Sequence, residues 1–89
     1  MTSRPYAARV TVRLDPGVND PQGNTVRDGL LALGYSTVRD VRVGKTIDLV
    51  VDAEDADAAR AAVEQMCRGL LANPVIEDFD VAVGEAGSD

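Results

Sequence analysis

The 89-residue chain has no histidine and no tryptophan, one cysteine, and three aromatic side chains, Tyr6, Tyr35 and Phe79. Without histidine it lacks the commonest general base, the commonest metal ligand and any imidazole-activated nucleophile. One cysteine, Cys67, cannot close an internal disulfide, which fits a reducing compartment. Basic residues are in deficit: nine Lys and Arg against fifteen Asp and Glu give a net charge of -6. A nucleic-acid binder would show a basic stripe with stacking aromatics, and an anionic membrane would repel this charge. No hydrophobic run approaches the ~20 residues of a membrane span. The opening "MTSRPYAARV" has no apolar core of signal-peptide length, so a cytoplasmic chain is expected.

What is present is ordinary for a globular domain: 45% hydrophobic and 27% charged residues. The length allows one core and leaves much surface uncovered, so a partner would add stability. Residues 8–83 carry the periodic pattern of a single domain, with 1–7 as an extension and 84–89 ("GEAGSD") as a frayed tail.

"ARVTVRL", residues 8–14, alternates apolar and polar and predicts a half-buried strand. "DPGVNDPQG" is a structured loop ending in a helix start, Asp20 as N-cap and Pro21 at the first helical position. Val26, Leu30 and Leu33 recur at helical spacing, and Gly34 stands where a C-cap glycine belongs. "STVRDVRVGKTIDLVVD" predicts two strands with a turn at Gly44-Lys45. An odd-count loop, Gly44 to Thr46, aligns Val43 with Ile47 and Val41 with Leu49 on one face. Val38 is out of phase with Val41, which calls for a bulge near Arg39-Asp40. Alternatively both hairpin faces are partly buried, and Val50 on the other face is covered by a second copy. Val41, Val43 and Val50 are therefore the candidate dimer face.

The second helix starts with Asp52 as N-cap and Glu54, Asp55 and Asp57 at the positive end of its dipole. Ala59, Val63, Met66, Cys67 and Leu70 form its apolar stripe, fit for core burial or for helix pairing. Asn73 in a left-handed cap and Pro74 end it, and a last strand runs from Val75 to Val83. Strand, helix, strand, strand, helix, strand (βαββαβ) makes a two-layer α+β sandwich of ferredoxin-like type, with two helices on one face of an antiparallel-containing sheet. The other sheet face is wet or covered by another subunit.

Each candidate for chemistry has a plainer explanation. Cys67 sits mid-stripe and reads as a small core residue. "GKT" at 44–46 resembles the end of a phosphate loop, but Arg39 stands where that pattern needs glycine, and the tripeptide lies between two strands. "EDAD" at 54–57 is explained by helix-start electrostatics without a metal. Glu77 and Asp78 point to opposite faces of a strand, while Asp78 and Asp80 share one, as a solvated edge would. No catalytic set and no metal site is expected within the chain.

Three stretches carry a resemblance: "DPQG" at 20–23, "VRVGK" at 41–45 and "MCRGLLANPVIEDF" at 66–79. In order and spacing over residues 8–83 they resemble the PurS family, the small subunit of phosphoribosylformylglycinamidine synthase in purine biosynthesis. Two positions depart from it: Asn19, often apolar in relatives, and Gly69, often lysine. The resemblance implies a three-component ATP-dependent ligase. A glutaminase subunit releases ammonia. A large synthetase subunit uses ATP and Mg to activate the formamide oxygen of formylglycinamide ribonucleotide, and ammonia displaces phosphate to give the amidine. The small subunit, binding no cofactor itself, bridges the other two as a homodimer or dimer of dimers, so that ammonia is transferred rather than lost.

Candidate partner contacts are Asp20, Gln22 and Gly23 in the loop, Arg42, Gly44 and Lys45 in the turn, and Asn73, Glu77 and Asp78 in the last joint. That joint also reads as a cap and a stop with solvent-facing acids; the two readings are compatible. A rival of another class is a regulatory module that senses an amino acid between dimerised sheets.

Overall fold

A computed structural model describes residues 3–86 of the chain. The elements are β1 (Arg4–Leu14), α1 (Pro21–Ala32), β2 (Lys45–Ala53), α2 (Ala56–Met66), a π-helical turn (Cys67–Leu71) and β3 (Glu77–Glu85). The strands form one antiparallel sheet in the order β2-β1-β3. The α+β arrangement of helix on antiparallel sheet, of ferredoxin-like type, is the one the sequence indicates. Residues 1–2, and 87–89 of the expected tail, lie outside the described residues.

The alternation in β1 works as expected. Tyr6, Ala8, Val10 and Val12 turn inward and are buried, and Arg9 and Arg13 turn outward. The strand begins earlier than Ala8 because Tyr6 also has partners, Val51 on one side and Glu85 on the other. Val63, Cys67 and Ala72 close the core over β1.

Each end of α1 is locally encoded. Asp20 Oδ1 accepts the Gly23 N–H at 2.8 Å, and Pro21 opens the helix. At the other end Gly34 takes φ +98°, a left-handed conformation that glycine tolerates best. The N–H groups of Gly34 and Tyr35 then reach back to the carbonyls of Leu31 and Leu30, the paired bonds of a Schellman cap.

Three local expectations are corrected. The N-cap of α2 is Asp55, whose side chain accepts from Ala58 N–H; Asp52 is still in β2, opposite Pro5. The apolar stripe of α2 breaks after Cys67. Ala72 N–H bonds back five residues to Cys67 O, and this wider turn rotates Leu70 out to 85% exposure while Ala72 is buried. Met66 is likewise 40% exposed. Asn73 is not left-handed: its Oδ1 accepts the Val75 N–H, and its own N–H donates to Glu77 Oε1 at 2.7 Å. The last strand accordingly starts at Glu77 rather than Val75.

The fourth correction is the largest. Residues 36–44 form no strand among the described residues, so neither the turn at Gly44-Lys45 nor the bulge at Arg39-Asp40 exists within the protomer. The chain instead runs straight back from β2. Val12 stands opposite Lys45, and three residues beyond that pair along each backbone, past the strand ends, Arg42 Nη2 donates to Asp15 O at 2.8 Å. Among the described residues α2 is the helix that lies on the sheet, and α1 projects away from it. The radius of gyration is 17.0 Å, against ~12 Å for a compact chain of this length.

Candidate functional site

The expected contact residues converge on the end of the sheet where β1 passes into α1. The organiser is Asp20, a buried carboxylate. One oxygen caps α1 through Gly23, and the other accepts the Val43 N–H at 2.8 Å, so a single side chain ties the helix start to the returning segment. These two N–H bonds, helped by nearby Arg42, hold its carboxyl below the usual aspartate range against the opposing effect of burial.

Two glycines permit the close approach. A Cβ on Gly23 would collide with the Val41 carbonyl oxygen, and one on Gly44 would lie 2.6 Å from Val12 O. "DPQG" and "VRVGK" therefore meet as backbone packed on backbone. The last joint arrives at the same place, because Asp15 N–H donates to Ile76 O at 2.8 Å. Glu77 closes it by accepting the Asn73 N–H.

Two clefts result, on opposite faces of the sheet end. On the inward side a cleft of about 190 Å³ gathers Asp20, Gln22, Gly44, Lys45 and Glu77 above Val12. On the outward side a cleft of about 460 Å³ is lined by Arg13, Leu14, Pro16, Asp40, Arg42 and Asp78. Of the nine expected contacts, Asp20 and Gly23 are buried and structural in their present role, and Arg42, Lys45 and Asp78 are exposed. Arg13 and Asp40 were not among the expected residues. The cross-strand pairing of Arg13 with Asp78, and its 2.7 Å ion pair with Asp80, brings it there, and no local pattern announces that.

The candidate dimer-face residues divide. Val41 and Val43 are half-buried, whereas Val50 is 66% exposed on the sheet face that no helix covers. A larger concavity of about 620 Å³ lies there, away from the convergent end. Its floor is Ala7, Val50, Ala82 and Gly84, beside an Arg9–Asp48 pair bonded at 2.7 and 3.2 Å. Arg9 donates to Asp48 and lowers its carboxyl pKa. Among the described residues no cluster of three or more His, Cys, Asp or Glu is placed to hold a metal ion. No helix of the described residues is long and apolar enough to cross a membrane.

Comparison with known proteins gives a consistent result. The family model PurS, phosphoribosylformylglycinamidine (FGAM) synthase, matches residues 7–85. The phosphoribosylformylglycinamidine synthase subunit PurS of Synechocystis sp. is 46% identical over 77 residues, covering 86% of this chain and 77% of that one. The crystal structure of PurS from Methanocaldococcus jannaschii, a subunit of formylglycinamide ribonucleotide amidotransferase, superposes with a TM-score of 0.81 at 39% identity. The match covers 90% of this chain and 96% of that chain. A chain in the structure of PurLQS from Thermotoga maritima matches with a TM-score of 0.81 at 32% identity, covering 90% and 98%.

Proposed function

The chain belongs to the PurS family of phosphoribosylformylglycinamidine synthase, and on that premise we propose that it is the non-catalytic small subunit joining the glutaminase to the large ATP-dependent synthetase. The observation that carries this reading is the match along 98% of a chain in the PurLQS structure. In the proposed reaction glutamine supplies ammonia, ATP with Mg activates the formamide oxygen of formylglycinamide ribonucleotide, and ammonia displaces phosphate to form the amidine. Those steps belong to the larger subunits. The work of this chain is positional: ammonia released into neutral water is mostly protonated and no longer a nucleophile, so holding two sites together has chemical value.

The convergent end is the proposed contact surface. There Arg42, Lys45 and Asp78 are exposed, on backbone held rigid by Asp20 and by Gly23 against Val41. Gln22, Gly44, Asn73 and Glu77 complete it, and the bridging unit contains two copies of the chain or a pair of such pairs. Lys45→Ala and Asp78→Ala test the surface directly. Both variants are expected to fold and to lose affinity for the glutaminase–synthetase pair by about tenfold, since one good interfacial charge contact is worth ~1.4 kcal/mol or more. Normal assembly by both variants would show that the partners bind elsewhere.

A further inference from the structure

We infer that the outer edge of β3 is closed against strand addition: Arg60 of α2 and Asp78 of β3 itself occupy its outward backbone groups and keep any further strand from pairing there. The inference goes beyond the proposed function and does not depend on the larger subunits.

β3 otherwise has the features of an edge that adds strands. It pairs with β1 on one side only. That pairing runs unbroken from Leu14 opposite Glu77 to Tyr6 opposite Glu85, so no bulge twists the edge away. The strand, "EDFDVAVGE", has no proline and no lysine, and Phe79, Val81 and Val83 favour strand pairing. Its acids do not protect it by charge alone. Asp80 is paired with Arg13 at 2.7 Å and Glu85 with Arg4 at 3.9 Å, and Glu77 is held by the Asn73 N–H.

The protection lies on the backbone. In an antiparallel strand alternate residues direct both N–H and C=O toward the neighbouring strand or away from it. Just past β3, Ala86 N–H donates to Pro5 O at 3.2 Å, so the even-numbered residues face β1. Phe79, Val81 and Val83 therefore turn their polar groups outward. Arg60 Nη1 donates to Val81 O at 2.6 Å, and Phe79 N–H donates to Asp78 Oδ1 at 2.9 Å. Two successive outward residues are thus engaged by side chains. Beside them the guanidinium of Arg68 lies 5.9 Å from the centre of the Phe79 ring.

The placement of Arg60 follows from the packing of α2. Ala59 and Val63 are buried against the sheet, and α2 lies mainly over β3, which leaves Arg60 at the side of the helix next to the strand edge. An arginine suits the position, with a long stem to span the gap and several donors on one rigid head. An incoming strand must first displace Arg60 from Val81 and Asp78 from Phe79. The consequence is a limit on assembly. Strands added head-to-tail at a free edge do not close on themselves and grow into open arrays. A closed β3 keeps the sheet finite.

The test is the double variant Arg60→Ala with Asp78→Ala. It removes both bonds together with one positive and one negative charge, so the net charge stays at -6 and overall repulsion is unchanged. Sedimentation velocity on native and variant chains at the same concentrations should show the variant growing with concentration, its average mass rising at least about twofold over the native chain as edges join. Arg60→Ala alone should go part of the way, whereas Asp78→Ala alone, with Arg60 still in place, should keep the native size. Adding Val83→Pro to the double variant should restore the native size, because proline is tolerated on an edge where its position faces solvent and it blocks a further strand. A double variant that keeps the native size overturns the inference. So does association that Val83→Pro leaves in place, since it then runs through unfolding or another surface. If the double variant does not fold, Arg60→Ala with and without Val83→Pro decides by the same two criteria.

Discussion

Two glycines in α1 should respond to the same substitution with opposite signs. Helix propensity alone favours alanine over glycine by ~1 kcal/mol at either position. At Gly29 a new Cβ meets nothing within 4 Å, so Gly29→Ala should realise that gain. At Gly23 the Cβ would strike the Val41 carbonyl and lie 2.9 Å from Asp20 Oδ2, and the carbonyl is backbone that cannot swing aside. Overpacking of this kind costs ~1–3 kcal/mol. After the propensity gain, a net loss of up to about 2 kcal/mol remains for Gly23→Ala. In a domain of this size each kcal/mol moves Tm by ~4–8 °C. Thermal unfolding followed by circular dichroism, at one fixed protein concentration, should raise Gly29→Ala and lower Gly23→Ala. If both variants rise together, Val41 does not rest on the first turn of α1, and the straight path of 41–44 is wrong.

Two further outcomes follow from single buried groups. Because the Asp20 carboxyl titrates below its unfolded value of ~3.9, its contribution is present above that pH and is lost as pH falls through the folded pKa. The Tm gap between the native chain and Asp20→Asn should therefore be constant near neutrality and close below about pH 4; a gap unchanged at low pH would mean the carboxylate charge is not what Gly23 and Val43 need. Burial, reinforced by Glu64, pushes the Cys67 thiol up, so labelling by a disulfide reagent should track unfolding. Labelling at the rate of an exposed thiol in the folded protein would show that the core over β1 is open.

What was legible in the sequence was what neighbouring residues decide. The alternation of β1, the start of α1 at Asp20-Pro21 and its end at Gly34 are encoded within a few positions and stand in the structure. The start of α2 was misplaced because Asp52 and Asp55 are equally good caps; only the pairing of Asp52 with Pro5 across the sheet excludes the first. An unbroken α-helix carries Leu70 on the apolar stripe, and the single wider turn at Cys67–Leu71 leaves no periodic trace. The stretch after α1 shows the limit most clearly. Its alternation suits a strand beside β2, but no such pairing forms within the protomer. Asp20, Gly23 and Asp15 grip it instead, from positions far along the chain. The contact candidates lie in three separate motifs, and only the fold brings them to one sheet end.

The most direct test of the bridging role is to reconstitute the glutaminase and the synthetase with and without this chain, and to count glutamate released against amidine formed. With the chain present the ratio should lie close to one amidine per glutamate, in a complex whose mass includes two or more copies of it. Without it the pair should fall apart and amidine formation from glutamine should fail, while added ammonium salt still supports it. An equally tight complex and an equally coupled ratio in its absence would contradict the role.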